Sequence, residues 1–138
     1  MKNTIYLLFL ISVLSSCESE GELTRKPVGS VEIPVTAVVT SSGNFAPTSG
    51  HSVSGSAKIY SDGTHRNLAL ENFTVTNGPD LKVYLSKSSS PVNFVNLGSL
   101  GNGTNQAFRI PDNVDLSVYP YVLIHCQQFN HLFAFAKL

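Results

Sequence analysis

The stretch His51-Ser52-Val53-Ser54-Gly55-Ser56-Ala57-Lys58-Ile59-Tyr60 alternates without a break. Val53, Gly55, Ala57 and Ile59 fall on one face, and Ser52, Ser54, Ser56 and Lys58 on the other. A period of two over this length describes a strand with one buried face. Asp62-Gly63 follows at once and is a favoured hairpin dipeptide, so the chain should return alongside. The returning run carries Leu68 and Leu70 at even positions but Phe73 and Val75 at odd ones. The apolar phase therefore flips between Glu71 and Asn72, and a bulge there would bring both pairs to the core face.

The same grammar extends in both directions. Val35 to Thr40 reads as a first strand, closed by Ser41-Ser42-Gly43-Asn44. Asn77-Gly78-Pro79-Asp80 is a strong turn, after which Leu81, Val83 and Leu85 resume alternation. Ser86 to Pro91 reads as a mobile loop and Val92 to Leu100 as a weaker strand. Gly101-Asn102-Gly103 turns the chain into Thr104 to Ile110, where Gln106, Phe108 and Ile110 share a face. Pro111 to Pro120 is a loop, and Tyr121 to Gln127 and His131 to Leu138 are strands separated at Gln128-Phe129-Asn130. Short β-type runs between turn clusters, with no helix of normal length, predict an all-β fold: an antiparallel β-sandwich, jelly-roll-like, of eight or nine short strands.

The 138 residues leave room for one core, since single domains occupy roughly 100 to 200 residues. The first segment stands outside it. Lys2 is a basic n-region, Ile5 to Leu14 an apolar h-region, and Ser15-Ser16 small residues before Cys17: the pattern of a secretory signal over 1–16. The run is too short for a transmembrane helix, which needs about 20 residues. Leu14-Ser15-Ser16-Cys17 resembles the bacterial lipobox, in which the cysteine is acylated and becomes the mature N-terminus. Several acyl chains anchor stably where one binds reversibly. The plainer reading is a secreted protein with Cys17 free or bonded to Cys126. Residues 17–34 read as a lipidated polar tether and 35–138 as the β-domain. Glu18, Glu20 and Glu22 resemble acidic surface-export signals, or form a solvated linker.

Charge excludes some classes. The full chain is neutral, and removal of the leader with Lys2 leaves about −1. No basic stripe offers itself to nucleic acid. With charged residues at only 13%, the surface should be Ser-, Thr- and Asn-rich.

Chemistry concentrates near the C-terminus. Lipidation of Cys17 would leave Cys126 without an intramolecular partner, and a lone thiol in an oxidising compartment is either buried or used. Along its strand Val122, Ile124 and Cys126 point one way, Leu123, His125 and Gln127 the other. His125 is therefore no ready base for Cys126, and a cysteine hydrolase would have to recruit His51, His65 or His131 through the fold. Four histidines and a thiol are enough for a metal site, yet no H-x-H, C-x-x-C or H-E-x-x-H spacing occurs. His65 falls at a hairpin tip and His131 at a turn, while His51 and His125 lie on strands. Asp80 suits a ligand role or simply its turn. Asn72-Phe73-Thr74 and Asn102-Gly103-Thr104 match glycosylation sequons, discounted in a bacterial lipoprotein.

His51-Ser52-Val53-Ser54-Gly55, Phe73, Gly78-Pro79-Asp80-Leu81 with Val83-Tyr84-Leu85, Leu97-Gly98, Ile110-Pro111, and Val122-Leu123-Ile124-His125-Cys126 with Phe129 and Phe133-Ala134 follow one another in an order that resembles the electron-transfer domain family DM-thirteen, over about Gly43 to Leu138. The resemblance implies a β-sandwich whose near-invariant cysteine, here Cys126, acts in redox chemistry as a bare thiol or as ligand to a prosthetic group such as haem or copper. His51, Asp80 and His125 are the further cofactor-binding candidates. Relatives often carry Trp before the cysteine; here His125 stands there, a second ligand if the strand is bulged.

The expectation is thus a redox domain in the bacterial cell envelope. Acylated Cys17 would hold it in the lipid bilayer, on the periplasmic side or the cell surface, beside a redox partner protein. Its rival is a non-enzymatic binding or adhesion module with a structural Cys126, using loops such as Ser86 to Pro91. A metal-dependent enzyme is a third class, without a motif to support it.

Overall fold

The computed structural model describes residues 31–138. The leader, Cys17 and the acidic run at Glu18, Glu20 and Glu22 lie outside the described residues. Eight strands follow in sequence: β1 Val38–Pro47, β2 Val53–Ser61, β3 Arg66–Val75, β4 Leu81–Ser86, β5 Val95–Ser99, β6 Gln106–Ile110, β7 Tyr121–Cys126 and β8 His131–Lys137. All pair antiparallel in the order β5-β4-β7-β8-β1-β2-β3-β6, and no helix occurs among the described residues. The all-β antiparallel expectation holds, at its lower strand count, as one nearly closed sheet.

The sheet curls because β1 belongs to both halves. Its first part, Val38–Asn44, pairs with β2, and Phe45–Pro47 pairs with β8. The sequence reading ended this strand at Thr40 and made Ser41–Asn44 a turn; the structure carries the strand straight through. Gly43 is the reason. A Cβ there would stand 1.9 Å from the Lys137 carbonyl oxygen, so only glycine lets β1 pass from one partner to the other at this distance.

Bulges add curvature. On β3 two residues stand opposite one of β2, between the Ser54–Thr74 and Ser56–Glu71 pairs. Asn72 takes φ 49° and Gly55, facing it, φ 97°. This is the bulge that the phase flip predicts, and Leu68, Leu70 and Phe73 are all buried. A second bulge lies on β8, where Ile124 pairs with Ala134 but His125 pairs with Leu132. Phe133 is the extra residue, and it reaches the core together with its neighbour Ala134. Further irregularities fall at Thr40 on β1 and Leu97 on β5.

Ile59, Leu68, Leu70, Phe108 and Ile110 meet Val83, Leu85, Val122, Ile124 and Cys126 in one interior cluster. Each fully buried aliphatic side chain contributes roughly 1.5–3 kcal/mol. The β2–β3 hairpin closes through Asp62, whose carboxylate accepts the Thr64 and His65 amides at 2.8 and 2.6 Å. Val31 and Ile33, read as the end of the tether, already lie against the sheet: the Val31 amide donates to Ala107 of edge strand β6 at 3.0 Å.

Candidate functional site

Cys126 ends β7 and is completely buried. The next four residues turn the chain, Asn130 adopting φ 47° and donating its amide to the Gln127 carbonyl at 3.3 Å. The return strand then sets His131 directly opposite Cys126. Directly opposed residues in an antiparallel ladder share a face, and the bulge at Phe133, by reversing the phase of β8 at its start, gives His131 the face of Cys126, although at the strand's first position its ring stays exposed. On the other side of β7, Leu81 of β4 is the partner of Cys126.

His51 arrives at the same end by a different route. After β1, the Thr48 amide donates to the Phe133 carbonyl at 3.0 Å and its hydroxyl to Leu132 at 2.5 Å. The His51 amide closes a turn onto Thr48 at 3.1 Å, with Gly50 at φ 85°. This corner lays the His51 ring on Phe133, centroids 3.8 Å apart and planes 18° apart. The His131 ring lies 5.0 Å from His51. Gly78 packs from the opposite wall, where a Cβ would come within 3.0 Å of the Phe133 ring. His51 Nδ1 is buried without a hydrogen-bond partner.

His125 stays on the outer face. Its ring stacks at 5.4 Å on Tyr84, which stacks in turn at 4.1 Å on Phe94. The Ser86–Phe94 loop covers this face, its fold fixed by the Ser86 hydroxyl donating to the Ser90 carbonyl at 2.8 Å. Burial, then the neighbouring His131, hold the His125 pKa below its ordinary value. Nδ1 of His125 also lacks a partner. Burial, then Asp80, raise that of Tyr84. The bulge at this end belongs to β8, not β7, so it does not carry His125 across to Cys126.

Asp80 braces the strand ends. Its carbonyl accepts the Gln127 amide at 3.0 Å, and its carboxylate pairs with Lys82 at 2.8 Å. His65, at the far hairpin, contacts Arg109 and Asp112. Of the residues singled out from sequence, the fold therefore brings Cys126 and His51 to one end of the interior, with Asp80 at its rim and His125 behind the strand. It also brings in Phe133, and from the three histidines that could have been recruited to the thiol it sets His131 opposite Cys126. The signal for His131 was its position at the far side of a four-residue turn from Cys126, readable only once the hairpin register is known.

Among the described residues no group of three or more His, Cys, Asp or Glu side chains is arranged to hold a metal ion.

A cleft of about 460 Å³ opens beside this end, between the Asn77–Leu81 turn and the Ser99–Thr104 segment that joins the two edge strands β5 and β6. Leu81, the ladder partner of Cys126, and Phe73 form part of its wall, while Cys126 itself does not line it.

No curated protein and no solved structure matches the chain. A family model does, over residues 44–138, which hold every strand from the end of β1 onward, Cys126, and both walls of the cleft. On that match this chain belongs to the Electron transfer DM13 family.

Proposed function

We propose that this chain is an extracytoplasmic electron-transfer module held at a membrane through acylated Cys17, and that the Cys126 thiol is its redox group, with His131 as proton acceptor. The observation that carries the reading is the ladder register that sets an imidazole opposite the only cysteine among the described residues, in a chain of an electron-transfer family. The leader pattern before Cys17 supports the anchor and the location in a bacterial cell envelope. A redox protein of the same compartment is the partner that would reset the thiol.

The chemistry needs no bound metal. A small peroxide is the oxidant: the thiol proton passes to His131, the sulfur attacks one peroxide oxygen, and the O–O bond breaks. The leaving oxygen takes that proton back from His131 and departs as water or an alcohol, and the sulfur, now a sulfenic acid, has lost two electrons. Because Cys126 is fully buried, the reaction requires local opening of the Gln127–Asn130 turn, at a cost below that of global unfolding.

The test treats full-length protein with peroxide, traps with a dimedone-type sulfenic-acid probe, and locates the adduct by mass spectrometry. An adduct on Cys126 supports the reading; an inert thiol, with no visible absorption and no bound metal, sinks it. A Soret band or stoichiometric copper would shift the electron carrier from sulfur to a bound group.

Complete burial of Cys126 within the core cluster favours a second reading, a non-enzymatic envelope binding or adhesion module whose cysteine only packs. In that case Cys126→Ser retains its cellular function.

A further inference from the structure

We infer that the cleft between the Asn77–Leu81 turn and the Ser99–Thr104 segment is a binding site for a neutral carbohydrate, a mono- or disaccharide. Its volume of about 460 Å³ lies within the roughly 300–1,000 Å³ of small-molecule sites.

The lining excludes other ligand classes by charge. Among the described residues Asp80 is the only ionisable side chain on it, and Lys82 neutralises that carboxylate at 2.8 Å while also donating to the Ser99 hydroxyl at 2.7 Å. Among the described lining residues a phosphate or carboxylate ligand would find no free cation, and an ammonium ligand no free anion. An apolar ligand would strip water from Asn77, Asn102 and Thr104 without replacing its hydrogen bonds, which is costly. Hydroxyl groups can pair with those amides and hydroxyls as both donors and acceptors. The carbon faces of a sugar ring can rest on Leu81 and Leu100.

The site is also built in advance. Gln106 is buried and staples the segment across the cleft: its Nε2 donates to the Gly101 and Gly103 carbonyls at 2.9 and 2.8 Å, and its Oε1 accepts the Gly101 amide at 2.8 Å. The Phe73 amide holds the Thr104 carbonyl at 2.8 Å. Three side-chain bonds and one backbone bond thus fix a wall that contains two glycines, so little ordering entropy remains for a ligand to overcome. The inference does not depend on Cys126, and Cys126→Ser should bind as well as the parent.

The test is titration of isotope-labelled full-length protein with glucose, galactose, mannose, N-acetylglucosamine, cellobiose and chitobiose, read by amide chemical shifts. Phosphate, tetramethylammonium and tetra-alanine are the controls. At least one saccharide should shift the amides of Asn77, Gly78 and Leu100 to Thr104 and saturate at or below about 10 mM. Thr104→Trp, which fills the cleft from an exposed position, should abolish the shifts. The double variant Asn77→Ala/Asn102→Ala should weaken binding at least about tenfold, equivalent to one or two hydrogen bonds, and decides the matter if the Trp variant fails to fold. The inference is overturned if no saccharide shifts this set, if the shifts survive the variants, or if phosphate or the peptide shifts the same amides at equal or lower concentration.

Discussion

Cys126 and His131 oppose each other across the β7–β8 hairpin, a buried thiol at the end of one strand and an exposed imidazole at the start of the next. If His131 accepts the thiol proton, His131→Gln should slow sulfenic-acid trapping several-fold. Stability should change by no more than about 0.5 kcal/mol, as for other exposed positions. An unchanged trapping rate would remove His131 from the mechanism.

Replacement of Cys126 itself separates packing from chemistry. Cys126→Ser puts a hydroxyl into the apolar cluster and should cost about 1–3 kcal/mol in urea unfolding. Cys126→Ala leaves a small void instead and should cost less than the serine variant. The reverse order would mean that the core offers the hydroxyl a partner.

Two glycines should respond unequally to alanine. Gly43→Ala meets the Lys137 backbone at 1.9 Å, an obstacle that no rotamer relieves, and should destabilise by several kcal/mol or prevent β1 from bridging the sheet. Gly50→Ala meets nothing within 4 Å and carries only the left-handed penalty at φ 85°, about 1–2 kcal/mol. Thermal unfolding of the two variants checks the ranking.

The Ser86 hydroxyl is buried and reaches the carbonyls of Ser90 and Val92 at 2.8 and 3.3 Å. Ser86→Ala should cost about 1–3 kcal/mol and loosen the loop that seats Phe94 on Tyr84. Faster amide exchange confined to residues 87 to 94, together with loss of Tyr84 burial, is the expected signature.

His125 makes stability depend on pH near neutrality. Its folded pKa lies below the ordinary 6.5, so the unfolded chain takes up the proton first. The stabilisation is complete above about pH 6.5 and is lost as pH falls through that value towards the lower folded pKa. Tyr84 beside it stays neutral across this window, its pKa raised from the ordinary 10.0. Glu71, lowered by Lys58 and then Tyr60, and Asp62, lowered by the His65 and Thr64 amides, act only below their ordinary 4.5 and 3.8. His125→Phe should therefore flatten the stability curve just below about pH 6.5 and leave the acid limb set by Glu71 and Asp62 intact, as urea midpoints across pH would show.

The two bulges show why one feature was readable and its counterpart was not. On β3, Leu68 and Leu70 fall in one phase and Phe73 and Val75 in the other, so a misfit in alternation announces the extra residue at Asn72. On β8, Phe133, Ala134, Phe135 and Ala136 are apolar in both phases, so slipping by one residue leaves no trace. That silent bulge is the one that turns His131 towards the side of Cys126. Ser41–Asn44 misled for a related reason: its turn-like composition answers a close approach to Lys137, 94 positions along the chain, and not a reversal at that point.

By itself, then, the sequence determined the all-β class, most strand positions, the turn at Asn77–Asp80, the bulge at Asn72 and the separation of His125 from Cys126, because strand alternation and turn chemistry act over two to four neighbouring residues. The tertiary structure alone decided that β1 serves both halves of the sheet, that His51 stacks on Phe133, that His131 and not His125 shares a face with Cys126, and that a neutral cleft opens where the edge strands meet. Those depend on which strands become neighbours and in what register. Such long-range pairings are chosen by the burial of the whole core, not by any local run of residues.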